Sequence, residues 1–193
     1  KISREELSQY RENLIFGSAC FNSEIFELAC NKSEEELKNA MGFYDYIEVQ
    51  PPENYSWLVN MHELDHDRLM MVLKSIVDTA DAAGKMVCAT GDCHYVNPED
   101  KILRDIYIAQ KALGGGNHPL YPPRRDKVAA PFPNPDQHFR STAEMMDCFR
   151  PFLSEEKCHQ IVIENTNKIA AQIEPIQILK DHLYPPSANL PNS

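Results

Sequence analysis

Between residues 14 and 112, short apolar runs alternate with segments whose apolar residues recur at helical spacing, and nothing else in the chain limits the possible folds as much. Leu14-Ile15-Phe16, Tyr46-Ile47-Glu48-Val49 and Met86-Val87-Cys88-Ala89-Thr90 read as short buried strands, the first ended by Gly17 and the second by Pro51-Pro52. A helix is expected from about Ser23 to Cys30, and the capping box Ser33 to Glu36 opens another reaching about Phe43. Leu69, Leu73, Ile76, Val77 and Ala80 mark a long helix from about His66 to Ala83, with Gly84 as its stop. Pro98, a favoured first helical residue, opens one more that runs to about Ala112. Strand and helix in alternation give an α/β fold, with parallel strands and helical crossovers in an open sheet or a barrel. Three such strands are few for a closed parallel barrel, which normally has about eight, and an edge would be left unpaired. Partner strands from outside this chain are therefore expected.

The flanks differ from this core. Ser3 and Glu6 form a capping box for a helix to about Asn13, while residues 52 to 65 read as irregular. Gly114-Gly115-Gly116 breaks the alternation, and residues 117–137 are Pro-rich. A capping box at Ser141 to Glu144 opens a short helix to Phe149, and a longer one is expected from about Ser154 to Ile173. The tail from Tyr184 carries three prolines and no periodicity. The chain thus divides into an α/β part at 1–112, a loop at 113–137, a helical segment at 138–183 and an irregular tail at 184–193.

Composition narrows the class. Of the 193 residues 42% are hydrophobic, enough for a core, and the net charge of −10 excludes bulk electrostatic attraction to nucleic acid. Arg124, Arg125 and Lys127 form the one basic cluster, suited to DNA, to an acidic neighbour or simply to solvent. No apolar run approaches the roughly 20 residues of a membrane span. The start, KISREELSQY, has no signal-peptide pattern and no initiator Met, a hint of a fragment. Six cysteines without a C-x-x-C pair fit reduced thiols in a cytoplasmic protein rather than a zinc ribbon.

In parallel α/β folds functional groups gather where strands end. Three segments meet that condition: Gly17-Ser18-Ala19-Cys20, Gln50-Pro51-Pro52 and Gly91-Asp92-Cys93-His94. In extended chain, Asp92 and His94 would point to one side, and a carboxylate with an imidazole suits Zn²⁺, Mn²⁺ or Fe²⁺. Gly91 is expected to supply the turn. The bland alternative makes Asp92 a turn cap and His94 a satisfied loop residue. Cys20 could add a thiolate from the same rim or be a small buried residue. Glu24 sits where a helix start favours an acid. His62-Glu63-Leu64-Asp65-His66 matches the H-E-x-x-H of zinc proteases, but Asp65 reads as an N-cap, which would leave His62 outside the helix. The Gly114-Gly115-Gly116 run lacks the Lys and Ser/Thr of a phosphate loop.

Six blocks of sequence carry a family resemblance: GSAC at 17–20, FYDYIEVQPPE at 43–53, ATGDCHYVNPEDK at 89–101, QHFRSTAEM at 137–145, IVIENTNKIA at 161–170 and LKDHLYPP at 179–186. In order and spacing they resemble the PHP domain of PolC-type DNA polymerase III alpha subunits, specifically the part after the inserted proofreading exonuclease. The resemblance implies part of a PHP-type distorted (β/α)7 barrel, with a divalent metal cluster, zinc or manganese, at the strand C-termini and a small helical appendage leading toward the palm. It makes Cys20, Asp92 and His94 metal ligands. The remaining ligands, a His-x-His motif among them, would belong to the missing N-terminal half, so weak metal affinity is expected of this chain alone. It implies a DNA-directed DNA polymerase of bacterial replication whose palm carboxylates lie elsewhere. The implied partners are the rest of the same polypeptide, DNA, the sliding clamp and the replisome, with no membrane. The PHP site would be structural or, alternatively, a metal-dependent phosphoesterase or 3′–5′ exonuclease; the zinc protease is the remote alternative. The family commonly has Gly-Glu after GSAC, where this chain has Phe21-Asn22-Ser23-Glu24, which leaves that turn open.

Overall fold

The computed structural model describes residues 2–60, 63–111, 114–118, 120 and 134–177. Its centre is a pair of parallel strands, β1 (Tyr46–Val49) and β2 (Met86–Ala89), in register from Tyr46 opposite Met86 to Val49 opposite Ala89. The crossover between them contains α5 (His66–Ala82), and the expected stripe of Leu69, Leu73, Ile76, Val77 and Ala80 is at most 2% exposed. Asp65 caps this helix by accepting the Arg68 N–H. Its far end closes as the sequence predicts: Gly84 takes φ +66°, and Lys85 N–H reaches Ala80 O.

Helices α2 (Glu24–Asn31) and α3 (Glu34–Met41) pack on one another and on α5, so that Ile25, Phe26, Leu37 and Met41 join Ile47, Val49, Val87 and Ala89 in one core. The capping boxes at Ser3, Ser33 and Ser141 all form, over α1 (Arg4–Ser8), α3 and α7 (Thr142–Phe149). Residues 52–60, read as irregular, are a 3-10 turn at Pro52–Tyr55 followed by α4 (Ser56–Asn60). The helix after Pro98 opens with a 3-10 turn and continues as α6 (Lys101–Ala109). The N-terminal helix is shorter than expected, with a 3-10 turn at Arg11–Asn13.

The strand expected at 14–16 is reduced to one parallel bridge between Gly17 and Tyr46. The reason lies in its partners. Phe16 O accepts from Asp45 N and Tyr46 N, but the next β1 amide, Glu48 N–H, goes to the Ser18 hydroxyl at 2.8 Å instead of to a carbonyl. The ladder stops there. Among the described residues the sheet therefore has two full strands and does not close on itself as a barrel.

The outer edge of β2 is occupied by side-chain chemistry. The helix expected from Ser154 runs as α8 (Glu155–His159), a π turn (Gln160–Glu164) and α9 (Asn165–Ala170), ending three residues early. Asn165, 5% exposed, follows the π turn and donates its Nδ2 to Val87 O at 2.8 Å. The Arg124, Arg125 and Lys127 cluster, the 184–193 tail and His62 lie outside the described residues.

Candidate metal centre

Asp92 and His94 come together, though not through extended chain. Asp92 adopts φ +48°, the left-handed region that Asp tolerates better than most residues. The turn expected of Gly91 is made by its neighbour. Gly91 is constrained differently, since a Cβ there would lie 2.8 Å from Cys93 Sγ. His94 Nδ1 folds back to Asp92 O at 2.8 Å and lies 3.9 Å from Asp92 Oδ1. With the proton on Nδ1, the tautomer this contact selects, Nε2 keeps its lone pair for a ligand. The side chains are 26% and 33% exposed, so both reach solvent from a partly shielded rim.

The loop is held from several directions. Asn54, fully buried, donates to Gly91 O at 2.9 Å. Gln137 donates its Nε2 to Asp92 Oδ2 at 2.8 Å, its carbonyl accepts His94 N–H at 2.8 Å, and its own N–H reaches Tyr95 Oη at 3.0 Å. Tyr95 and His138 form a parallel bridge. Buried Arg140 spans from Asp136 O to Asn54 Oδ1, and Lys101 pairs with Asp136 at 2.5 Å.

The Cys20 turn is built in the same manner. Ala19 has φ +60°, its N–H donates to Glu48 Oε1 at 3.1 Å, and Thr90 Oγ1 donates to Glu48 Oε2 at 3.0 Å. Glu48 thus joins the first turn, β1 and the end of β2. Gly17 is required, because a Cβ would sit 2.5 Å from Glu48 Oε1 and from the Tyr46 ring. The turn after Cys20 closes without the family glycine: Ser23 N–H bonds Cys20 O at 2.8 Å, and Ser23 then caps α2. Glu24 pairs with Arg4 at 2.5 Å in the first turn of α2, the helix-start role expected of it.

Tyr55, 3% exposed, packs its ring against Phe21 and Phe26. Burial pushes its phenol well above the ordinary range, and the negative charge that Cys20, Asp92, Cys30 and Glu48 can carry adds to this. Gln50 and Gln137 each hold a buried Oε1 without a hydrogen-bond partner among the described residues. Sequence reasoning singled out the ends of the strands but not Glu48, Asn54, Tyr55, Gln137 or Arg140. For Glu48 a signal was present, an acid inside an otherwise apolar strand.

Asp92 and His94 bring a carboxylate and an imidazole into one turn, with Oδ1 and Nδ1 3.9 Å apart. Cys20 stands on the same rim, yet among the described residues no three His, Cys, Asp or Glu side chains are placed to hold one ion. Of the H-E-x-x-H motif the described residues 63–65 are not helical: Glu63 and Leu64 lie in a bend, Asp65 is the cap and His66 begins α5. All six cysteines are free thiols.

These turns belong to segments that recur in known proteins. The chain is 42% identical over 187 residues to the DNA polymerase III PolC-type of Bacillus subtilis (strain 168), a span covering 96% of this chain and 12% of that relative. Along almost its whole length the chain is similar to one segment of PolC-type DNA polymerase III. The same holds at 40% identity over 188 residues for the protein of Oceanobacillus iheyensis and at 38% over 187 residues for that of Streptococcus pneumoniae serotype 2. The chain covers 97% and 96% of itself in these matches and spans about an eighth of the PolC-type relatives' length, 12% and 13%. No family model matches it. No helix among the described residues is long and apolar enough to cross a membrane.

Proposed function

We propose that the chain is the PHP metal-binding segment of a PolC-type bacterial replicative DNA polymerase, and that it supports the polymerase rather than transferring nucleotides itself. The observation that carries this reading is the 42% identity along 96% of the chain to a PolC-type protein. Two turns with left-handed non-glycine residues support it: Ala19 after the Gly17–Tyr46 bridge, beside a thiol, and Asp92 after β2, with a carboxylate and an imidazole. Such conformations concentrate at functional sites because surrounding structure must over-determine them. In this reading Asp92, His94 and Cys20 are ligands, and the further donors, with the strands that complete a PHP barrel, come from elsewhere in the polypeptide. DNA, the sliding clamp and replisome proteins are met by the whole enzyme in the cytoplasm. A bound Zn²⁺ or Mn²⁺ cluster would supply cross-linking of the two halves and, where water has access, Lewis acidity toward a phosphodiester.

One observation favours hydrolysis as a second reading. His94 lines a groove of about 500 Å³ together with Asp100, Arg104 and Tyr107, and a guanidinium and an imidazole on one groove suit a phosphodiester.

Elemental analysis of the full-length protein carrying this chain decides the site. Asp92→Ala and His94→Ala are each expected to lower bound zinc and manganese several-fold, while nucleotide transfer changes through stability alone. Unchanged metal in both variants would sink the assignment. Loss of 3′–5′ hydrolysis in these variants, in a background lacking the proofreading exonuclease, would favour the second reading.

A further inference from the structure

We infer that Gln137 is the positioning residue of the Asp92–His94 pair, an inference that rests on the metal reading above. One residue, 1% exposed and separated by 45 positions from Asp92, contacts both members at once. Its side-chain Nε2 holds the Asp92 carboxylate at 2.8 Å, and its carbonyl holds His94 N–H at 2.8 Å. Its N–H, through Tyr95 Oη at 3.0 Å, fastens the residue that follows His94. The three contacts span the turn in which Asp92 takes its left-handed backbone.

The amide's orientation carries the argument further. With Nε2 on Asp92, Oε1 is buried and without a hydrogen-bond partner among the described residues. Turning the amide over would set Oε1 against a carboxylate oxygen. In this orientation the amide gives its donor to the Asp92 carboxyl group and leaves one acceptor for a donor such as a water of the site. Gln137 occupies one lone pair of Oδ2 and leaves Oδ1, 3.9 Å from His94 Nδ1, without a side-chain hydrogen bond among the described residues and free to ligate. A partner of this kind fixes the orientation of a ligating group, and its loss typically weakens metal binding about 10- to 100-fold.

The test uses the full-length protein and Zn²⁺ alone, with affinity read by chelator competition and metal-free stability read by thermal melting. Gln137→Met keeps length and apolar bulk but removes the amide. It is expected to weaken zinc binding at least about 10-fold with the metal-free melting temperature little changed. Unchanged affinity overturns the inference, as does an affinity loss accompanied by an equally large fall in metal-free stability. Asp92→Ala is the control: if it leaves affinity untouched, the metal reading fails, whereas an effect of Asp92→Ala without one of Gln137→Met removes only the role of Gln137.

Discussion

Six free thiols at different depths make side-chain chemistry at the level of single residues easy to read. Cys93, in the loop between Asp92 and His94, is exposed, while Cys88 and Cys158 are 2% and 0% exposed. Burial pushes the Cys88 thiol up to about 11 from an ordinary 9.0, with Glu48 adding to the shift, and Cys148 is likewise pushed up to about 11. The thiolate is the reactive form, so brief alkylation at pH 8 followed by peptide mass spectrometry should label Cys93 first and Cys88 only on unfolding. The same shift has a sign for stability. Above about pH 9 the unfolded chain has released these protons while the folded chain still holds them, so stability should fall as pH rises from about 9 toward about 11. Of the metal candidates, the pairing of Asp92 with His94 was legible from D-x-H spacing, since two residues so close in sequence share a surface almost whatever the backbone does. The route was not legible. Nothing in the local sequence shows that Asp92 rather than Gly91 takes positive φ, because the decision rests on Asn54 and Gln137, which are 37 and 45 residues away. Cys20 is the opposite case: its turn is formed, but the described residues do not gather it with the other two.

Among the elements, those that announce themselves in sequence do so through local chemistry. The three Ser-x-x-Glu capping boxes, the α5 stripe and the Gly84 stop need no distant partner to form, and all are found where the pattern puts them. What was misread depends on tertiary partners. Leu14-Ile15-Phe16 has strand composition, but Ser18 takes the amide that would have extended the ladder. The 52–60 segment has weak periodicity and folds around buried Asn54 and Tyr55. The π turn in the last helix is equally silent in sequence, yet it directly precedes Asn165. That asparagine makes a definite prediction. Replacing it with Leu keeps apolar volume but leaves Val87 O buried without its donor, which should cost about 1–3 kcal/mol in urea denaturation. Asn165→Asp should cost more, because a carboxylate would then face a carbonyl. A loss below about 0.5 kcal/mol for both would mean that the β2 edge is satisfied in another way.

For the whole molecule, the two edges of the sheet are unequal, and that inequality says where a partner would attach. On β2, parallel pairing directs the groups of Val87 outward, and Asn165 already holds its carbonyl. On the opposite side the bridge turns the N–H groups of Ile15 and Gly17 away from β1, and among the described residues neither has a hydrogen-bond partner. Leu14 and Ile15 beside them are 43% and 37% exposed. A two-stranded sheet is a marginal unit, and an apolar open edge is a template for another strand. If the chain completes a PHP barrel with strands from the rest of a PolC-type polypeptide, the first of them should pair along residues 14–17. Hydrogen exchange read by mass spectrometry tests this by comparing the isolated chain with the full-length protein. The Ile15 and Gly17 amides should be protected at least about 10-fold more in the full-length protein, a difference of about 1.4 kcal/mol in local opening, because each would gain a ladder bond and lose contact with water. The β2 amides, already shielded by α5 and α9, should change far less. The reverse pattern, with new protection at 86–89 and none at 14–17, would place the closing strand at the Asn165 edge and require that helix to move aside.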